Sequence, residues 1–278
     1  MDSVTREKLD IICKDIRRDI LRMIFEAGSG HPGGSLSAVE ILVVLYFSYM
    51  NIDPKNPKWV ERDKFILSKG HAAPLLYAIL AERGFFPLED LSTFNAPGTS
   101  LQKHIDMSLV PGTELSTGSL GQGLSAALGM CLSDRLDKRK SRTFVLLGDG
   151  ECQEGQVWEA AMAAAQHRAG NLVCFLDNNG CQVDGYTRDI CMLEPVEEKW
   201  SAFRWDVQRI DGHDIDQIED ALHKTELDKD RPHMIIADTI KGKGVSFMEN
   251  KPEWHAKALN DEEYAMVMEE LGLKEGAV

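Results

Sequence analysis

The sequence has 278 residues, of which 43% are hydrophobic, so the chain is long enough to bury one large core. Its composition does not shift along its length, and we expect a single domain over residues 1–278. The formal net charge of −14 argues against a broad electrostatic surface for nucleic acid or an anionic membrane. An anionic ligand must therefore be held locally, by helix N-termini, backbone NH groups, a metal ion or a few cationic side chains.

Neither a membrane span nor a secretory signal is apparent from the residue pattern. The longest apolar run, 41–47, is too short to cross a bilayer, and residues 1–10 are too polar for a signal peptide. We therefore predict a cytoplasmic protein that does not contact a membrane. The six cysteines form no CxxC pair, and several lie in apolar stretches, so we expect reduced thiols that hold no metal.

The N-terminal part of the chain has helical periodicity interrupted by glycine. Apolar spacing predicts a first helix over 5–27. The glycine-rich loop 28–34 leads into a second helix that ends near Tyr49. Ser35 is the predicted N-cap of this helix, with Ser37 as the alternative.

Two further loop-to-helix junctions follow. In the first, the segment 68–71 precedes Pro74, a residue suited to the first turn of a helix. In the second, the glycine-rich segment 116–123 precedes a helix over 124–136. Its glycines allow close approach of backbone at a helix N-terminus.

Short apolar strands alternate with helices in the rest of the chain. The predicted strands are 143–147, 171–177, 205–210 and 233–239, and the predicted helices are 157–167, 215–225 and an amphipathic helix beyond residue 260 with a frayed end. Such alternation without hairpin signals indicates right-handed crossovers. We predict an α/β fold with a mainly parallel sheet flanked by helices, which binds ligands at the carboxyl ends of its strands.

Polar residues follow two of these strands at the point where each ends. GDG at 148–150 follows one strand, and NN at 178–179 follows the next. A carboxylate and an amide oxygen at neighbouring strand ends suit Mg²⁺, which takes further oxygens from water and from a diphosphate. Either segment alone would be interpreted as an ordinary turn. We expect Asp149 to lie at the rim of the crevice between the strand ends.

A GDG followed at this distance by NN resembles the signature of thiamine-diphosphate enzymes. Five segments resemble transketolases and occur in the transketolase order: GHPGG at 30–34, SKGH at 68–71, STGSLGQG at 116–123, GDGECQEG at 148–155 and DNNGCQVDG at 177–185. The resemblance covers roughly residues 10–260. It implies the diphosphate-type thiamine-diphosphate-binding fold and transfer of a two-carbon ketol unit from a ketose phosphate to an aldose phosphate.

The resemblance also implies a cofactor and a metal site, residue by residue. Asp149 and Asn179 become side-chain ligands of Mg²⁺, or of Ca²⁺ or Mn²⁺ in its place, and the main-chain oxygen of Cys181 becomes a third ligand. A backbone oxygen needs no particular side chain, so cysteine can stand there without a thiolate site. The NH of Gly150 would donate to the diphosphate of thiamine diphosphate, and His71 would contact the same region.

Two more segments acquire roles from the resemblance. Gly118, Ser119 and Leu120 would approach the cofactor with their main chain. Glu154 matches the acidic residue that transketolases place at the subunit interface, where it links two active sites through hydrogen bonds and belongs to the catalytic and cofactor-contacting set.

Four of the eight histidines match transketolase active-site positions. They are His31 in GHPGG, His71 in SKGH, His104, which lies 14 residues before Gly118, and His255 in EWHAK. The segment LQKHID around His104 departs from the glycine-proline context usual in the family. The resemblance implies that His31, His104 and His255 bind the ketose and assist proton transfer, with His255 also contacting the cofactor. We expect ordinary surface or core roles for His167, His213, His223 and His233.

Three alternatives concern the less specific signals. Lys241 and Lys243 in KGKG are interpreted as residues of a solvated loop, because lysine is usually exposed, with proximity to a phosphate as the alternative. Another thiamine-diphosphate enzyme, a 2-oxoacid dehydrogenase alpha subunit or a deoxyxylulose-phosphate synthase, is the enzymatic rival. A non-catalytic cofactor-binding or regulatory protein is the rival from another class.

The resemblance predicts a partner. Transketolases activate their cofactor with a glutamate of a pyrimidine-binding domain, and the 23 residues after His255 are too few for one. We expect that domain to be absent here and supplied by a separately encoded C-terminal subunit, although truncation of a longer protein would give the same sequence. Self-association through the Glu154 region is also expected, with exposed apolar patches near Leu120 and the helix after Gly155.

Overall fold

The computed structural model describes residues 3–272, with residues 3 and 4 described by their backbone alone. The strands are β1 (Lys64–Leu67), β2 (Thr143–Gly148), β3 (Leu172–Asn178), β4 (Cys181–Gln182), β5 (Gly185–Tyr186), β6 (Asp206–Asp211) and β7 (His233–Asp238). The α-helices are α1 (Ser3–Ala27), α2 (Pro32–Leu36), α3 (Val39–Val44), α4 (Ala73–Arg83), α5 (Gly123–Leu136), α6 (Gly155–Gln166), α7 (Thr187–Ile190), α8 (Val196–Ala202), α9 (Ile215–Lys224) and α10 (Asp261–Glu270). A π-helix spans Leu45–Tyr49, and short 3-10 helices span Gly70–Ala72, Leu88–Thr93, Gly150–Gln153 and Pro252–His255. The predicted frayed end falls on 273–278, outside the described residues.

Five strands form one parallel sheet in the order β1-β2-β3-β7-β6, and β4 pairs with β5 in a separate two-stranded antiparallel ribbon. Successive residues of the central strands alternate between two apolar layers. Phe144 and Leu146 pack with α1, α3 and α4, whereas Val145 and Leu147 pack with α5 and α6. A parallel sheet covered on both faces requires strands that are apolar throughout, which is why the strands are continuous hydrophobic runs in the sequence. The predicted α/β fold is confirmed.

Local signals account for the helix that follows β1. Pro74 lies in the first turn of α4, as predicted, where its missing NH leaves no hydrogen bond unmade. Gly84 ends the helix in the left-handed conformation, with φ of 88°. Within the described part of the chain, no helix has both the length and the apolar character needed to span a bilayer. The structure has all six cysteines as free thiols, five of them buried.

The sequence pattern does not predict β1. The segment KFIL has four residues and follows a charged stretch, so it is too short to show a periodicity of its own. Its strand conformation comes from parallel pairing with β2, in which Lys64 faces Thr143 and Leu67 faces Leu146. Tertiary pairing therefore decides this edge of the sheet.

The N-cap prediction at Ser35, with Ser37 as the alternative, is wrong. The first short helix begins earlier, at Pro32, whose ring suits a first turn. The hydroxyl of Ser35 donates to the main-chain oxygen of His31 at 2.8 Å, and that of Ser37 donates to a carboxylate oxygen of Asp177 at 2.6 Å. Both serines thus fasten the glycine-rich loop, and Ser37 fastens it to the sheet.

Asp177, at the end of β3, is a fully buried carboxylate that joins separate segments of the chain. Its oxygens accept hydrogen bonds from Ser37, Lys69, Asn179 and Thr239. Burial alone would raise its pKa, but the Lys69 ammonium and these donors hold the pKa of the Asp177 carboxyl below its ordinary value. Lys69 is itself 1% exposed. The pair is therefore a buried charge pair that ties the loop after β1 to the centre of the sheet.

Replacement of Asp177 by alanine should lower the free energy of unfolding by about 3–5 kcal/mol, because it leaves the Lys69 ammonium buried without a counter-charge. Equilibrium denaturation followed by circular dichroism measures the change. Glu61→Ala removes an exposed carboxylate and serves as the control, with an expected effect within about 0.5 kcal/mol. A loss at Asp177 no larger than the loss at Glu61 would contradict the role given to the pair.

Candidate functional site

Asp149 lies directly after β2, with its carboxylate enclosed by backbone. One oxygen accepts from the NH of Gly150 at 2.7 Å, and the other accepts from the NH of Gly180 at 2.6 Å. The residue is 2% exposed, so the expectation that it lies at the rim of the crevice is wrong. The turn after β3 folds over the carboxylate and buries it. The NH of Gly150, predicted to face a diphosphate, is directed here at Asp149.

The donor set around Asp149 fits a hard divalent cation. Burial and the neighbouring Asp177 raise the pKa of the Asp149 carboxyl to about 6, a shift that a bound cation would oppose. Asn179 lies on the same side of the sheet, and its amide oxygen accepts from the NH of Cys181 at 3.0 Å. Among the described residues no group of three or more His, Cys, Asp or Glu side chains could hold a metal. A metal here would therefore depend on amide and main-chain oxygens and on oxygens of its ligand, as Mg²⁺ does.

Lys241 is buried next to this set, so its interpretation as a solvated loop residue is wrong. It is 2% exposed, and its ammonium nitrogen lies 3.5 Å from the main-chain oxygen of Cys181 and 3.1 Å from Nδ1 of His255. Burial lowers the pKa of Lys241, and the nearby Lys69 lowers it further. Lys243 does reach the surface, where its ammonium lies 3.7 Å from Glu249. Lys241 thus places one cation between the Asp149 side of the crevice and the histidines.

Four distant segments bring the four predicted histidines together. The ring centroid of His31 lies 5.4 Å from that of His71, 5.8 Å from that of His104 and 5.5 Å from that of His255. The rings of His71 and His255 are 4.9 Å apart. We call these four residues the imidazole cluster. His104, whose position rested on spacing alone, belongs to it.

The imidazole cluster is held in its neutral form. Burial, followed by the charges of Lys103 and other neighbours, lowers the pKa of His31 to about 4. Burial and the ammonium of Lys241 lower the pKa of His255 to about 3. Near neutral pH each ring can therefore donate one hydrogen bond and accept another. Nδ1 of His31 is buried and has no hydrogen-bond partner among the described residues, which leaves it available to a ligand.

The loop 116–123 reaches the cluster through close backbone contacts. A Cβ atom on Gly70 would lie 2.6 Å from the main-chain nitrogen of Gly118, so only glycine fits between these two loops. Gly118 itself has φ of 145°, and a Cβ atom there would lie 3.0 Å from Cδ2 of His104. Ser119 is exposed and Leu120 is half-buried. The main chain of this loop therefore borders the imidazole cluster, as the motif predicts.

Glu151 is a buried carboxylate that sequence reasoning missed. It accepts from the hydroxyl of Ser68 at 2.5 Å, from the NH of Gly121 at 2.9 Å and from the NH of Gly148 at 3.1 Å. It therefore fastens three of the glycine-rich segments to one another. The sequence offers no signal that separates it from Glu154, three positions later in the same motif.

The remaining predicted residues lie outside the cluster. Glu154 is exposed at the start of α6, and its Cβ would be 2.8 Å from a Cβ on Gly121. Its interface role stays a prediction. Among the four histidines given ordinary roles, His213 and His233 are held by Glu40 and Asp206, and His167 and His223 are exposed.

Comparison with known proteins agrees with this geometry. Residues 10–277 match the family described as transketolase, thiamine diphosphate binding domain. A 6-deoxy-6-sulfo-D-fructose transketolase subunit from Clostridium sp. is 50% identical over 262 residues, which cover 94% of this chain and 95% of the relative. One of the two subunits named for an apulose-4-phosphate transketolase, that from Actinobacillus succinogenes, is 41% identical over 272 residues, 97% of this chain and 98% of the relative.

A solved structure gives the same result in three dimensions. Transketolase from Pichia stipitis, in complex with sedoheptulose 7-phosphate, superposes with a TM-score of 0.91 at 29% identity, over 96% of this chain and 41% of that chain. The chain thus spans less than half of that transketolase, whereas it spans nearly all of the two relatives above. The matched fold and the family match over most of the sequence show that the chain belongs to the transketolase family, as its thiamine-diphosphate-binding domain.

Proposed function

We propose that this chain is the diphosphate-binding subunit of a transketolase that depends on thiamine diphosphate and Mg²⁺. The enzyme transfers a two-carbon ketol unit from an anionic ketose to an aldose phosphate, a reaction of pentose phosphate and related carbohydrate metabolism in the cytoplasm. The observation that carries the proposal is the convergence of the imidazole cluster with Asp149 and Lys241 at one edge of the sheet. A regulatory protein has no need for four neutral imidazoles beside a buried carboxylate.

The metal and the diphosphate would be held at the ends of β2 and β3. Asp149, Asn179 and the main-chain oxygen of Cys181 would coordinate Mg²⁺, and Lys241 would add positive charge beside the diphosphate. Main-chain groups of Gly150 and of 118–120 would complete the contact. Bound thiamine diphosphate supplies the carbanion and the electron sink.

The imidazole cluster would bind the ketose. Because His31 and His255 stay neutral, each can hydrogen-bond a sugar hydroxyl and take up a proton from it at the same nitrogen. His104 lies at the exposed side of the cluster and would contact the sugar, whereas His71 lies deeper, beside Lys69, and would serve the cofactor region. The residues bind, orient and exchange protons, and the burial that neutralises them also excludes water.

The names of the relatives support a separate partner and an anionic substrate. Two of them are subunits of their enzymes, one named for a sulfo-sugar and one for a sugar phosphate. We propose that the partner is a pyrimidine-binding C-terminal subunit, in a heterotetramer with two copies of each chain. Glu154 at its exposed position would face a second copy of this chain, and the half-buried Leu120 and the exposed Met162 would be covered in the assembly.

Ketol transfer should require both subunits. The purified chain, with thiamine diphosphate and Mg²⁺, should be inactive at high concentration, and addition of the transketolase C-terminal half encoded in the same genome should restore turnover. The assay uses fructose 6-phosphate, 6-deoxy-6-sulfofructose, xylulose 5-phosphate and apulose 4-phosphate as donors, with pyruvate to test for a 2-oxoacid enzyme. Full turnover by the chain alone would overturn the two-subunit proposal, and activity with pyruvate alone would overturn the reaction class.

Asp149→Ala should abolish metal-dependent binding of thiamine diphosphate to the reconstituted enzyme, because it removes the one carboxylate of the ligand set. Isothermal titration calorimetry with and without Mg²⁺ measures the effect. Asn178→Ala is the matched control, since the amide of Asn178 donates to Asp238 at 2.7 Å and lies outside the ligand set. Equal affinities in the Asp149 variant and the wild type would refute the metal assignment.

His104→Ala should raise the Michaelis constant for the donor or lower turnover, by about 10- to 100-fold, while cofactor affinity stays unchanged. His71→Ala should instead weaken cofactor binding. His167→Ala, at an exposed site, is the control. Steady-state kinetics over a range of donor concentrations decides the matter, and wild-type constants for the His104 variant would show that this ring does not contact the sugar.

A further inference from the structure

Lys103 is a cation beside the imidazole cluster that the function above does not use. It is half-buried, and its ammonium donates to the hydroxyl of Ser29 at 2.9 Å. Among the described residues the structure gives it this hydroxyl, and no carboxylate, as a partner. Lys69, by contrast, is neutralised by Asp177. Lys103 therefore carries a positive charge that is partly desolvated and uncompensated, an arrangement that favours an anionic ligand.

Lys103 and Lys241 lie at opposite ends of the cluster. Lys241 contacts His255, and the ring of His255 contacts that of His31. The ring of His31 in turn contacts that of His104, which follows Lys103 in the chain. The charges of both lysines lower the pKa of His31, after the larger effect of its burial. The cluster thus separates one cation from the other.

The two ends differ in depth. The Lys241 end is 2% exposed and lies 3.5 Å from the main-chain oxygen of Cys181, on the side of the proposed metal. The Lys103 end is marked by the exposed ring of His104 and opens toward solvent. A ketose whose reacting carbons lie at the inner end extends its remaining carbons along the imidazoles toward the outer end. Its terminal substituent then comes close to Lys103.

The overall charge makes a local cation necessary. With a formal net charge of −14, the chain repels an anionic sugar at long range, so the charged end of the substrate needs a compensating group within contact distance. The departure of LQKHID from the usual family context places such a group next to a sugar-binding histidine.

We propose that Lys103 binds the terminal tetrahedral oxyanion of the ketose donor, a phosphate or a sulfonate, and makes the site select anionic donors over neutral ones. The hydroxyl of Ser29 holds the ammonium at the outer end of the cluster. This inference rests on the proposed ketol transfer at the same site. It assigns a specificity-determining residue to this chain, in addition to whatever groups the partner subunit contributes.

The kinetic test compares fructose 6-phosphate, 6-deoxy-6-sulfofructose and neutral 6-deoxyfructose as donors for the reconstituted enzyme. Lys103→Met removes the charge at similar volume and should lower kcat/KM for the two anionic donors by about 10- to 100-fold, mainly through KM, while the neutral donor is unaffected. Lys103→Arg should retain most of the discrimination. Lys140→Met, an exposed cation just before β2, at the opposite edge of the sheet from the site, makes the same change in net charge and should have no effect.

A second measurement uses the chain alone. Inorganic phosphate and methanesulfonate are titrated into ¹⁵N-histidine-labelled protein, and the ring signals of His104 and His31 are followed by NMR. Lys103→Met should weaken the response of His104 to both anions by about tenfold and raise the pKa of His31. An unchanged ratio of anionic to neutral kcat/KM, or an unchanged His104 response, in the Lys103→Met variant overturns the inference. Loss of the His104 response together with an enzyme inactive toward every donor would uphold the anion site and refute the proposed function.

Discussion

The buried pair of Lys69 and Asp177 is the interaction on which the arrangement of the crevice depends. Asp177 ends β3, and Lys69 follows β1, so the pair spans the sheet across the intervening β2. Ser37 and Thr239 add hydrogen bonds from two other segments. A charged pair removed from water is stable only when its geometry is well satisfied, and this one is satisfied by four separate donors. The segments that carry the imidazoles and the oxygen ligands are thereby held in a fixed relation.

A second buried carboxylate, Glu151, completes this support on the other side of β2. It accepts hydrogen bonds from the loop after β1, from the loop before α5 and from the end of β2 itself. Glycines in these loops allow backbone to approach backbone where any side chain would collide. The crevice is therefore built largely from main chain and small residues, and two acids that contact no substrate in this scheme determine its shape.

Three lysines around the crevice show how an acidic chain can prepare for anions. Lys69 is fully neutralised by a carboxylate, Lys241 is buried against an imidazole and a main-chain oxygen, and Lys103 is held by a hydroxyl alone. Burial and these charges keep the neighbouring imidazoles neutral. Uncharged rings can then exchange protons with a sugar without competing with the lysines for the negative charge of a ligand.

The sequence by itself determined the elements with strong local signals and the residues that belong to motifs. The continuous apolar strands, the proline in the first turn of α4 and the four histidines of the cluster follow from residue type and spacing, because strand burial, ring geometry and motif order are all present in the linear chain. Only the tertiary structure decided β1, the burial of Asp149, Glu151 and Lys241, and the start of α2. A short strand needs a neighbour to define it, and a lysine or a carboxylate becomes buried only when distant residues satisfy its charge, which no local pattern records.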